Sequence, residues 1–235
     1  MHYQLDYAGH IPCLLTITDG RQHELSVAKQ SFPIMPDSIY CFDRAYIDFA
    51  WFRRLHAMDC SFVTRVKTTL AYRVTGQHQP LKNKGVLKDV LIERTNADDG
   101  PMPLRLVRYY DEETDRTFEF LTNNLRLSAG TIAAIYKARW QIEAFFKWIK
   151  QNLKIKSFLG TSKNAVMTQV WVAMCYYLLL AYIKYQANYR HSLFYLHRMI
   201  RATLLERCGL IDLLKLTQNR LPALIRGAPQ LTFQF

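Results

Sequence analysis

Acidic residues are scarce in the last third of this chain. Residues 144 to 235 carry 13 Lys and Arg but only Glu206 and Asp212, whereas residues 1 to 143 carry 18 basic and 17 acidic groups. Nearly all of the net charge of +12 therefore sits toward the carboxy terminus. Such asymmetry points to a polyanionic partner. Paired cysteines are lacking too. Cys13, Cys41, Cys60, Cys175 and Cys208 stand alone, without a C-x-x-C pair and without clustered histidines. That excludes a disulfide framework and a thiolate zinc site, and the thiols read as reduced and cytoplasmic. No basic patch followed by an apolar run opens the chain, so no signal peptide is expected. The longest apolar run, Val170 to Ile183, falls short of the roughly 20 residues that span a bilayer, so a buried core helix and no membrane partner are expected. Internal repeats and low-complexity segments are missing as well.

What is present begins with strands. His2 to Tyr7 and Pro12 to Thr18, split by Ala8-Gly9-His10, predict a hairpin, and helical spacing follows from His23 to Gln30. After Pro33 and Pro36, Ser38 to Phe42 predicts a short strand running into Asp43-Arg44-Ala45-Tyr46. Asp48 suits the cap of a helix over Phe49 to Ala57, and Ser61 to Lys67 returns as a strand. Strands and helices at this spacing make an α/β layer. Alternating segments then take over: Val86 to Arg94, Leu104 to Tyr110 and Arg116 to Leu121, with turns such as Asn96-Ala97-Asp98-Asp99-Gly100-Pro101. They predict an antiparallel β insertion. Its cations Arg65, Lys67, Arg73, Lys82, Lys84 and Lys88 either line a DNA groove or form a solvated strand face.

Ser128 suits the cap of one long helix reaching about Leu153, and beyond Ala165 the pattern is helical as far as Pro222. On the long helix, Tyr136, Arg139, Glu143 and Lys150 fall at steps of three, four and seven. At about 100° per residue they form a single polar stripe. Ile135, Ile142, Phe145, Phe146 and Ile149 gather about 100° away, as a packing face. A rigid carboxylate beside two cations suits divalent-ion chemistry on phosphate, with the oxygen holding the ion and the cations meeting the phosphate. An ordinary exposed Arg139–Glu143 ion pair is the alternative. The aromatics among the cations (Phe145, Phe146, Lys147, Trp148, Lys150) fit nucleic acid better than a membrane surface. Trp140, Trp148 and Trp171 are expected in the core rather than stacked on a base. Asp43 at a strand end and Glu143 on a helix offer hard oxygen ligands from separate elements, which favours magnesium or manganese over zinc.

These residues resemble a family. Tyr136-x-x-Arg139-x-x-x-Glu143-x-x-x-x-x-x-Lys150 is similar to the YREK signature of the bacterial insertion-sequence DDE transposases of family four. Phe145 to Leu153, Gly160-Thr161-Ser162-x-Asn164-Ala165-Val166, Ile17-Thr18-Asp19-Gly20 and Asp43-Arg44-Ala45-Tyr46 resemble the same group. The resemblance implies a ribonuclease-H-like α/β core over 1–67 and 123–160, an antiparallel β insertion over 68–122 and a helical region over 161–235. It implies Asp43 and Glu143 as catalytic metal ligands for Mg2+ or Mn2+. Arg139 and Lys150 are implied at DNA phosphate, with Tyr136 alongside them in the DNA-binding set and Lys147 as a further DNA contact. The implied chemistry is nicking of transposon ends and strand transfer to a target, by some members through a DNA hairpin. A homodimer is implied by analogy.

The pattern departs from the family at the start, where the first core strand and its aspartate, and an N-terminal DNA-binding region, are not matched. Asp6 and Asp19 are the nearest acids, and both are poor replacements. The expectation is a truncated, impaired transposase. A catalytically dead DNA-binding remnant is the alternative, and an unrelated ribonuclease-H-like nuclease a third reading that the YREK spacing disfavours.

Overall fold

The computed structural model describes residues 2–6, 11–18, 22–66, 69–78, 85–95, 102–153, 158–205, 209 and 214. Outside them lie the turns at Ala8-Gly9-His10 and Asn96 to Pro101, the acids Asp19, Glu206 and Asp212, the cations Lys67, Lys82 and Lys84, Cys208, and the stretch toward Pro222. The chain divides into two compact units, Met1–Lys147 and Trp148–Phe235.

The first unit opens with the expected antiparallel hairpin, β1 (His2–Leu5) and β2 (Pro12–Thr16). Helix α1 (Glu24–Ser31) follows, its first turn capped by the His23 ring, which accepts from the Leu25 amide. Strand β3 (Ile39–Phe42) leads through a 3₁₀ turn (Arg44–Tyr46) into helix α2 (Phe49–Ala57), and β4 (Ser61–Arg65) returns parallel to β3. Helix α2 starts where it does because Asp48 Oδ1 accepts from the Trp51 amide at 2.8 Å, while Asp48 Oδ2 accepts from Lys29 at 2.6 Å. Strands β5 (Tyr72–Gln77), β6 (Val86–Arg94), β7 (Leu104–Asp111) and β8 (Arg116–Thr122) follow. Helices α3 (Ala129–Ala138) and α4 (Trp140–Asn152) come next, and α4 runs past the end of the unit.

β3 to β8 form one mixed sheet, ordered β3-β4-β8-β7-β6-β5, in which every pair except β3/β4 is antiparallel. The fold is mixed α/β. Alternation along the strands supplies two apolar faces. Phe42, Phe62, Leu106 and Leu121 pack with Ala28 of α1 and Trp51, Phe52 and Leu55 of α2. Cys41, Val63, Val107 and Phe120 face the other way and meet Ile132, Ala133 and Tyr136 of α3. The Phe52 and Phe62 rings, both fully buried, stack with centroids 4.0 Å apart. Cutting Phe52 back to Ala would cost about 3–5 kcal/mol through lost contact and the cavity left behind.

A charged pair lies inside this core. Asp89 on β6 pairs across the sheet with Val107, so Arg105, two residues along β7, lies diagonally opposite on the same face. Arg105 Nε donates to Asp89 Oδ1 at 2.7 Å and a terminal nitrogen to Oδ2 at 2.8 Å. Its other terminal nitrogen donates to the carbonyls of Asn124 (3.2 Å) and Leu127 (2.6 Å). The side chains of Arg105 and Asp89 are 0% and 2% exposed. The segment that feeds α3 is therefore held from beneath by a satisfied buried cation. Asn124 adds to this, with its side-chain carbonyl accepting from the amides of Arg126 and Leu127. Ser128 then caps α3, accepting from the Thr131 amide at 3.1 Å.

The single helix expected from Ser128 to Leu153 is two helices. The Arg139 amide bonds to the Tyr136 carbonyl and the Ile142 amide to the Arg139 carbonyl, steps of three rather than four that tighten the chain at Arg139. Neither Gly nor Pro is involved. Each helix follows its own packing surface, α3 against the sheet and α4 through Phe145 and Phe146, whose rings meet Tyr3 of β1 edge-on at 5.6 and 4.7 Å.

In the second unit, α5 (Lys163–Gln186) is capped by Ser162, and α6 (Leu193–Thr203) by Ser192. The helical pattern expected to run on from Ala165 is broken between them, with Asn188 in the left-handed region at φ 46°. Leu180, Tyr189 and Leu196 form a small core joined by Trp148, and the Tyr176 hydroxyl bonds to His197 Nδ1 at 2.9 Å. The expected burial of Val170 to Ile183 holds for one face only. Val170, Ala173, Met174, Tyr177 and Leu180 are buried, whereas Trp171, Val172, Leu178, Leu179 and Tyr182 are exposed. By length and composition α5 is long and apolar enough to cross a membrane.

Candidate active site

The pleat places the first acid. Phe42 points into the aromatic core, so Asp43, one residue past the end of β3, turns toward the face that α3 covers. Its Oδ1 accepts from the Ala45 amide at 3.4 Å, which starts the 3₁₀ turn and fixes the carboxylate at the carboxyl end of a parallel strand, where ligands of open α/β sheets gather. Glu143 stands in the first turn of α4, a position that favours a negative side chain.

Arg139 joins them. One terminal nitrogen lies 3.3 Å from Asp43 Oδ2 and the other 3.1 Å from Glu143 Oε1. A single guanidinium thus spans two carboxylates from elements about a hundred residues apart. The Arg139 side chain is 19% exposed, against 46% for Asp43 and 45% for Glu143. Burial disfavours its charge. Tyr136, Asp43 and Glu143 outweigh that and raise the Arg139 pKa above the ordinary arginine value. Its Nε is buried and makes no hydrogen bond. Behind it, the Tyr136 ring lies 5.6 Å from the guanidinium and packs on Phe120 at 5.0 Å between centroids.

The ordinary ion pair weighed as an alternative, Arg139 with Glu143, is therefore present, but it is half of a bridge that also takes in Asp43. Tyr136 leaves the expected polar stripe, because it is buried against the sheet and the helix breaks three residues later. Lys147, one turn beyond Glu143 on α4, is exposed, and so is Lys150, which lies on the same helix within the second unit. Cys41, two residues before Asp43, is no nucleophile. Burial pushes its thiol up to about 12 against the pull of Arg139.

Three cations of the insertion are described with partners of their own. Arg73 pairs with Glu93 across β5 and β6 at 2.6 Å, Arg65 lies over the Phe118 ring, and Lys88 over the Tyr72 ring. Trp140 and Trp171, expected in the core, are 65% and 45% exposed; Trp148 packs edge-on against Tyr177 and His197. Asp6 is exposed beyond the end of β1. Among the described residues, no group of three or more His, Cys, Asp or Glu side chains is placed to hold an ion. Sequence reasoning misses Arg105 and Asp89. The available signal was a charge within one apolar run, Leu104-Arg105-Leu106-Val107, and a charge directly before another, Asp89-Val90-Leu91-Ile92.

Comparison with known proteins gives the family of the chain. The family described as the transposase DDE domain matches residues 1–179. A Sinorhizobium fredii protein named as a transposase is 36% identical over 185 residues, covering 77% of this chain and 52% of that protein. A Geobacillus stearothermophilus protein named as the transposase for insertion sequence element IS5377 is 27% identical over 74% of this chain and 46% of its own length. A Synechocystis protein named as a transposase for element IS4SA is 25% identical over 72% of this chain and 48% of its own. The chain spans about half the length of these curated relatives. No solved structure matches it. With more than half of its residues matched by that model, the chain belongs to the transposase DDE domain family.

Proposed function

We propose that the chain carries catalytic machinery of an insertion-sequence transposase of family four, with a ribonuclease-H-like core, that nicks element ends and transfers the freed strand to target DNA. The observation that carries this reading is the bridge through Arg139, which holds Asp43 and Glu143 within one side chain's span. Two carboxylates in such proximity are a hard-oxygen donor set, and they fit a magnesium or manganese ion. Bound there, such an ion would supply charge neutralisation and activation of an attacking oxygen in an in-line phosphoryl transfer.

The protein's own residues do the rest. Asp43 is held by its cap to the Ala45 amide and Glu143 by the first turn of α4, so neither acid has to be ordered when substrate arrives. Tyr136 supports the guanidinium from behind. Arg139, Lys147 and Lys150 supply cations for the DNA backbone, and exposed Trp140 offers an aromatic face for a base. The residue boundaries of core and insertion, 1–67, 68–122 and 123–160, stand as part of this proposal. Within it, β5 to β8 extend the same sheet that carries Asp43.

The test is a nicking assay on element-end DNA with magnesium. Glu143→Gln removes one charged oxygen ligand with little change of shape. Cutting should fall by at least a hundredfold while DNA binding changes less than about threefold. Undiminished cutting would remove Glu143 from the site.

A further inference from the structure

We propose that Arg139 is a place-holder for the divalent ion, seated on the carboxylate oxygens the ion needs and displaced when it binds. This rests on the reading of Asp43 and Glu143 as ion ligands. Asp43 Oδ1 is already engaged by the Ala45 amide, which leaves Oδ2 for an ion, and Oδ2 is the atom that Arg139 contacts. On Glu143, Arg139 likewise takes one oxygen, Oε1. Two like charges brought together without a cation repel, so the acid pair needs one whenever the ion is absent. The guanidinium supplies it from within the chain.

The manner of contact fits a replaceable partner. Arg105 grips both oxygens of one carboxylate, spends its remaining terminal nitrogen on two carbonyls and is fully buried. Arg139 splits its grip, one nitrogen to each acid at 3.3 and 3.1 Å, with Nε left without a hydrogen bond. A split grip lacks the added strength of the parallel fork. A dication that draws both acids to itself offers them more than a single charge shared between them. The exchange is one cation for another, so the site stays preassembled throughout.

The test is Mn2+ binding to the full chain, followed by the electron paramagnetic resonance signal of the free ion, with thermal unfolding alongside. Arg139→Gln should bind Mn2+ about tenfold more tightly than the parent, and Mn2+ should raise its melting temperature more than the parent's. Arg139→Lys keeps the charge but cannot span both acids, and should also bind more tightly. Equal or weaker binding by Arg139→Gln would overturn the place-holder and make Arg139 an orienting group instead. Tighter binding by Arg139→Gln with parental binding by Arg139→Lys would overturn it as well, leaving only the effect of a nearby charge. Glu143→Gln should lose Mn2+ binding. Retention there would sink the ion site itself, a failure separate from that of the place-holder.

Discussion

Replacing Arg105 by Met strands a carboxylate inside the sheet, and the size of the effect follows from what surrounds it. Asp89 is 2% exposed and receives both of its described charged contacts from Arg105. Without them it takes up a proton rather than stay charged in the core. An aspartate in an unfolded chain loses its proton near pH 3.9, so keeping one bound at pH 7 costs about 4 kcal/mol at 1.4 kcal/mol per pH unit. The carbonyls of Asn124 and Leu127 lose their donor as well, at about 1 kcal/mol each where water does not reach them. Together these come to about 6 kcal/mol, at or just above the range of about 3–5 kcal/mol typical of breaking a buried pair, so a loss of about 4–6 kcal/mol is expected at pH 7.

The sign of the pH dependence is set by the same argument. The folded variant holds a proton that its unfolded chain releases, so its stability falls as pH rises, and its deficit against the parent narrows by about 2–3 kcal/mol between pH 7 and pH 5. Urea unfolding followed by tryptophan fluorescence should show the midpoint lowered by about 2–3 M at pH 7 for a slope near 2 kcal/mol per M. Asp89→Leu combined with Arg105→Met removes the stranded charge and should recover most of the loss. A cost below about 1 kcal/mol, the same cost at both pH values, or a double variant no better than the sum of the singles would refute the reasoning.

Three further outcomes are expected. Asp48→Asn keeps a capping oxygen but loses the charge that Lys29 meets; burial opposes ionisation of Asp48, yet bonds from Lys29 and the Trp51 amide hold its pKa below the ordinary value. The parent's advantage should be present above about pH 4 and shrink as pH falls further, and an advantage that grows toward acid in acid-unfolding curves would contradict it. Trp140→Ala should weaken single-stranded DNA binding by about 1–3 kcal/mol if its exposed ring stacks on a base, and unchanged fluorescence anisotropy would exclude that role. Lys147→Ala and Lys150→Ala should each lower the slope of log affinity against log salt by about 0.9, and parental slopes would argue against phosphate contact.

The local chemistry of this chain is legible where a segment's own residues decide the outcome. Helix α2 and strand β6 begin and end where pattern and caps place them, with Asp48 and Ser128 capping as their types predict. Periodicity fails where tertiary partners decide. Nothing in Lys137-Ala138-Arg139-Trp140 marks a break; it arises because α3 and α4 pack on different surfaces. Trp140 and Trp171 are large and apolar, yet hydrophobicity alone does not say which face a helix buries. The nearness of Asp43 and Glu143 comes from the family resemblance, since no spacing rule reaches across about a hundred residues. The Asp89–Arg105 pair depends on strand register, which pattern cannot fix when a charge sits on a buried face.

The pleat at the end of β3 also limits how this segment can change length. Phe42 and Asp43 are neighbours with opposite destinations, one aromatic and dry, the other acidic and open to solvent. Parallel pairing of Ile39 with Ser61 through Phe42 with Thr64 locks that parity. Deleting or inserting one residue within Ile39–Phe42 would drive a carboxylate among Trp51 and Phe52 and turn a phenyl ring outward. In lineages of this protein, length changes within the strand should therefore come in twos, the only steps that preserve the arrangement.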